Sequence, residues 1–187
     1  MNRYMIYLKN GSYKSKDAQS LLLRARELVS DQTIIIRDTR VSESFIEYDT
    51  SIPENTRLEE VTRKLVSIAP LLEYEHIVDT KIEKDEAIKI ARNLFNTEKY
   101  WRAHEILESI WKNSYGNEKA LLNGIILVAA AFVHHEKNEN EICISILRRA
   151  LMKLERASGY YFGIRLDEIK DLISEIVKTG NVQRFNI

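Results

Sequence analysis

The pattern of apolar and polar positions changes period once along the chain. Over the first eighty residues, short apolar runs interleave with stretches of helical spacing. Residues 4–8 read as a strand closed by the turn pair Asn10-Gly11. Residues 16–29 carry Ala18, Leu21, Leu22, Ala25 and Leu28 on one helical stripe. Residues 33–37, with three consecutive isoleucines, read as a buried strand, and 45–48 as another. Helical spacing returns over 55–68 through Leu58, Val61, Leu65 and Ile68, and 72–78 closes the series as a strand. The order β-α-β-β-α-β predicts a ferredoxin-like split sheet with helices on one face.

From Glu83 the spacing is helical throughout. It predicts helices over 83–95, 100–113, 118–137, 141–157 and 166–177, with a loop over 158–163 that holds Tyr160, Tyr161 and Phe162. Connections this short favour antiparallel neighbours. The expected fold class is therefore α+β: a ferredoxin-like domain over 1–80, then an all-α antiparallel helical bundle over 81–187. Cys143, beside Ile146 and Leu147, reads as core, and Ala129-Ala130-Ala131 as close helix packing.

Composition trims the function classes. Twenty-eight basic residues balance twenty-eight acidic ones, so the basic excess of a dedicated nucleic-acid binder is missing. Tyr4 and Phe45 have no Lys/Arg-Gly-aromatic signature beside them and read as core rather than as a base-stacking surface. One cysteine precludes an internal disulfide and fits a reducing compartment. The longest apolar run, 124–133, is short for a bilayer span and reads as a core helix. The expectation is a soluble, cytoplasmic protein with no membrane partner, with a homo-oligomer left open. Its charged, Ile-rich, Pro-poor composition is compatible with a thermophilic source.

The second bundle helix carries the candidate chemistry. At 100° per residue, Ala103, Leu107, Ile110 and Trp111 fall on one side. His104 lies about 20° from Trp111 and Glu108 about 40° beyond it, so both sit at the edge of the apolar stripe. An imidazole and a carboxylate at i and i+4 can bond each other or share a cation. Glu105 points roughly 100° from His104 and is expected to be wetter. On the third helix, Ala120, Asn123, Gly124, Leu127, Ala131 and His134 form a stripe of mainly small residues. Gly124 in mid-helix points to close approach of a neighbour. An antiparallel hairpin about residues 115–116 places Asn123 and Gly124 opposite Glu108, with Asn123 as expected partner of the His104/Glu108 pair. His134 falls roughly 10 Å from His104 along the axis, too far to share its ion, and His135 reads as solvent-facing.

Phe95-Asn96-x-x-x-Tyr100-Trp101-x-Ala103-His104-Glu105-x-Leu107-Glu108-x-x-Trp111, followed by Asn123-Gly124-Ile125-Ile126 and by Ala129-Ala130-Ala131-Phe132-x-His134, resembles the helical family known as domain of unknown function 309, over about 86–176. Its members are often labelled predicted metal-dependent hydrolases. The resemblance places His104, Glu105, Glu108 and Trp111 on the family's signature helix, and His134 at the end of its third. The family usually has Gln where this chain has Asn123, and Gly-Asn where it has Asn138-Glu139.

Two readings follow. In one, the chain is a metal-dependent hydrolase with a divalent ion on His104 and Glu108 and with Glu105 as base. Tyr100, Trp111, Asn123 and His134 are then candidates for ligand contact or for the layer behind it. In the other, the chain is a non-enzymatic binding or assembly module, and His104, Glu108, Asn123 and Trp111 form a structural polar network.

Overall fold

The computed structural model describes residues 1–78 and 81–187. The chain divides into two compact units, Met1–Thr80 with Glu136–Asn138, and Lys81–His135 with Glu139–Ile187. The domain boundary expected at residue 80 falls outside the described residues.

The first unit has the predicted order: β1 (Asn2–Lys9), α1 (Ala18–Val29) after a 3-10 turn, β2 (Ile35–Val41), β3 (Phe45–Ile52), α2 (Leu58–Leu65) and β4 (Leu71–Ile77). The strands form one antiparallel sheet in the order β2-β3-β1-β4, the arrangement of a ferredoxin-like split sheet. Period-two alternation sorts the strand residues. Ile6, Leu8, Ile46, Tyr48 and Ile52 form one core with Ala18, Leu21, Leu22 and Ala25 of α1 and Val61 and Leu65 of α2. The alternate positions hold a cross-strand row in which Arg40 and Tyr7 flank Glu47. Buried Arg40 donates Nε–H to Glu47 and pairs through Nη1 with Asp38 at 3.1 Å.

That row corrects one expectation. The Ile-rich run at 33–37 is not a fully buried strand: Ile36 is buried, Ile34 half-buried and Ile35 exposed. The strand instead continues to Val41, because Arg40 finds Glu47 across the ladder.

The second unit contains α3 (Lys84–Asn96), α4 (Tyr100–Trp111), α5 (Gly116–His135), α6 (Asn140–Leu154) and α7 (Leu166–Thr179). The expected loop before α7 is partly a hairpin, β5 (Tyr160–Tyr161) against β6 (Ile164–Arg165). Phe162 and Gly163 turn it with φ of 48° and 83°, a pair of positive φ values that suits the strand twist. Tyr161 and Phe162 fold back onto the bundle core, while Tyr160 is exposed. By length and composition, α5 is apolar enough to cross a bilayer, a longer apolar helix than the ten-residue run anticipates. Its Leu122, Ile125, Val128, Ala129 and Phe132 are buried in the bundle core instead.

Candidate functional site

Helix α4 buries Tyr100, Ala103, Ile106, Leu107 and Ile110. Each large aliphatic side chain removed from water contributes about 1.5–3 kcal/mol, which fixes the rotation of the helix about its axis. That rotation leaves His104, Glu105 and Glu108 half-buried at the rim of the core. Their ligand-type atoms, one from each residue, all lie within 4.8 Å of one another, and His104 Nε2 stands 3.7 Å from Glu108 Oε2. Glu105 is thus less remote than its angle on the helix implies. Two methylenes give its carboxylate reach along the turn, and it joins the other two.

The group does not satisfy itself. His104 Nδ1 and Trp111 Nε1 are buried atoms with no hydrogen-bond partner among the described residues. At 3.7 Å the His104–Glu108 approach is longer than a hydrogen bond. Half-buried Asn123 forms no hydrogen bond to either residue, contrary to the expectation from the hairpin. A Cβ on its neighbour Gly124 would sit 2.6 Å from Leu154 Cγ and Cδ2. The close approach that Gly124 permits is therefore to α6, not to α4. Trp111 is partly buried at the end of the same face, with Lys119 Nζ 4.8 Å from its ring centroid.

The other sequence candidates lie elsewhere in the unit. Tyr100 is a core residue, 1% exposed, edge-on to Phe95 and stacked on Phe132. His134 bonds through Nδ1 to Glu139 Oε2, a pairing between a helix end and the turn after it. His135 is half-buried rather than solvent-facing: its Nδ1 meets Asn140 Oδ1 at 2.7 Å and its ring lies edge-on to Phe132. Burial lowers its pKa first, the Asn140 hydrogen bond opposes that, and the Arg184 charge adds to the lowering. Cys143 is a core residue, and burial pushes its thiol up to about 12.

Sequence periodicity carried no sign of the cleft between the start of α5 and the end of α6, about 640 Å³ and lined in part by Leu121, Met152, Lys153 and Tyr161. The close α5–α6 approach at Gly124 is the one signal that bears on it.

Comparisons place the helical unit among known sequences. Residues 88–146 match the family described as "Domain of unknown function (DUF309)". An "Uncharacterized protein" of Aquifex aeolicus (strain VF5) is 29% identical over 99 residues, 52% of this chain and 29% of that protein. The chain therefore matches less than a third of that relative's length. The crystal structure of a conserved hypothetical protein from Thermus thermophilus is 25% identical, covers 49% of this chain and 95% of its own, and has a TM-score of 0.43. Through residues 88–146, which hold His104, Glu105, Glu108, Asn123 and His134, the chain resembles the family known as domain of unknown function 309.

Proposed function

We propose that His104, Glu105 and Glu108 hold a divalent metal ion, and that the protein is a metal-dependent hydrolase working at this rim of α4. The observation that carries the reading is the convergence of one imidazole and two carboxylates within 4.8 Å, with His104 Nε2 the ring nitrogen that faces Glu108. Ligands bound to one ion at about 2.0–2.2 Å stand roughly 3–4 Å apart, so small rotamer changes close the set. His104 and Glu108 are the first candidates to hold the ion, with Glu105 as third ligand or as base. Three protein ligands leave coordination open, and a divalent ion there supplies Lewis acidity and a water of lowered pKa. Trp111 follows on the same helix with Lys119 Nζ 4.8 Å from its ring centroid, and a cation there favours a substrate with anionic character. The competing reading, a self-contained polar network, has less support because the expected hydrogen bonds from Asn123 and between His104 and Glu108 are not made.

Calorimetric titration of chelator-treated protein with Zn2+ and Mn2+ tests this reading. One equivalent should bind, and His104→Ala or Glu108→Gln should weaken binding by at least about tenfold. An unfolding midpoint measured alongside separates loss of the ion from loss of the fold. No saturable binding, or equal affinity in folded His104→Ala, overturns the reading.

A further inference from the structure

The cleft at the α5–α6 end shares no lining residue with the group on α4 and has its own chemistry. Its volume, about 640 Å³, is that of a small-molecule site. Ala120, Leu121, Met152 and Ala157 supply apolar lining, and Met152 is 74% exposed. Four charged side chains also line it: Glu118, Lys153, Glu155 and Arg156. Glu118 is already neutralised. Lys84 Nζ stands 3.0 Å from Glu118 Oε1, and the Tyr161 hydroxyl donates to that oxygen at 3.0 Å. Lys84, with Tyr161 assisting against burial, holds the Glu118 carboxyl below its ordinary pKa. Among the described residues, neither Lys153 nor Arg156 has an ion pair or hydrogen bond from its side chain. The cleft therefore carries two uncommitted cations, Lys153 and Arg156, and one uncommitted carboxylate, Glu155, beside its apolar lining. Asn117, in the first turn of the twenty-residue α5, also borders the cleft, and the free N–H groups of such a turn favour negative charge.

We propose that this cleft binds a small amphiphilic anion, whose carboxylate or phosphate meets Lys153 and Arg156 while its apolar body lies on Ala120, Leu121 and Met152. Each part of the ligand follows from one part of the wall. An apolar body alone would leave the two cations unused, and a free inorganic anion would leave the apolar floor in water. Gly124 contributes at a distance, because it lets α6 approach α5 closely enough to bring Lys153 to the cleft: Lys153 Cβ lies 3.4 Å from where a Cβ on Gly124 would stand.

Octanoate and octyl phosphate are the probes, followed by amide chemical shifts of the full chain, with octanol as the neutral control. At least one anion should give saturable shifts at Ala120 and Ala157, with Kd on the order of 1 mM for a ligand of this size. The preferred anion identifies the headgroup. The double variant Lys153→Gln/Arg156→Gln should weaken binding about tenfold with an unchanged unfolding midpoint. Ala120→Trp, at an exposed position, should fill the cleft and abolish the shifts. Octanol binding as well as either anion, no saturable shift from either anion, or undiminished binding in the double variant overturns the proposal.

Discussion

Gly124→Ala sets two opposing effects against each other. In an exposed helix, replacing Gly by Ala stabilises by about 1 kcal/mol through helix propensity. Here the added methyl would meet Leu154 Cγ and Cδ2 at 2.6 Å, where carbon atoms normally rest at about 3.5–4.0 Å. Leu154 is fully buried, so α6 must move or the leucine must leave its rotamer. Overpacking of this kind costs about 1–3 kcal/mol. The clash wins, and a net destabilisation of about 1 kcal/mol is expected. Both tryptophans, Trp101 and Trp111, lie on α4, so their fluorescence in urea follows the helical unit separately from the sheet unit. Leu154→Ala alone should cost about 2–5 kcal/mol. In the double variant the new methyl partly refills that space, and a coupling of about 1 kcal/mol or more should appear. A Gly124→Ala variant stabilised by about 1 kcal/mol, with no coupling to Leu154, would refute the assignment of the close approach to α6.

Two further outcomes follow from buried charge. Glu47→Gln removes the closest counter-charge of Arg40, both side chains being 2% exposed, and should destabilise the sheet unit by about 3 kcal/mol; near-ultraviolet dichroism of the tyrosines in urea measures this, and a change under about 1 kcal/mol contradicts a buried pair. His135 has its folded pKa lowered from 6.5, chiefly by burial, so the unfolded chain binds more protons near that pH and stability rises with pH. The contribution is fully present above 6.5 and declines as pH falls below it. Tryptophan-monitored stability should therefore drop on going from pH 7.5 to 5.5, and His135→Gln should flatten that slope; an unchanged slope in the variant assigns the dependence elsewhere.

Much of the fold was legible because both periodicities are strong. The split sheet followed from the order of periods, and each predicted bundle helix exists with ends shifted by no more than three residues. Failures came where a local feature was settled by a distant one. Strand β2 runs on through Asp38 and Arg40, polar residues that look like a strand end until Glu47 lies opposite. The hairpin at 160–165 turns on Phe162 at φ 48°, a conformation that a bulky residue rarely adopts, so no turn signature marked it. A Cβ at Gly163, the other half of that turn, would meet Arg92 Nη1 at 2.7 Å, so the end of the arginine would have to shift.

The candidate site shows the same division between what one helix determines and what its neighbours decide. Helical angle alone put His104 and Glu108 at the rim of the core, and both are half-buried there. Angle alone also sent Glu105 outward, because it describes where a side chain starts and not how far a glutamate reaches. The pairing of Asn123 with that group required choosing which neighbour the small face of α5 packs against, and periodicity carries no such information. Gly124 packs against Leu154, Asn123 makes no hydrogen bond to His104 or Glu108, and His134 pairs with Glu139. A buried imidazole nitrogen left without a partner costs about 1–3 kcal/mol. That nitrogen is Nδ1, whereas Nε2 is the one that faces Glu108, so a ligand on the Glu108 side leaves the cost in place and only a group that reaches Nδ1 itself relieves it.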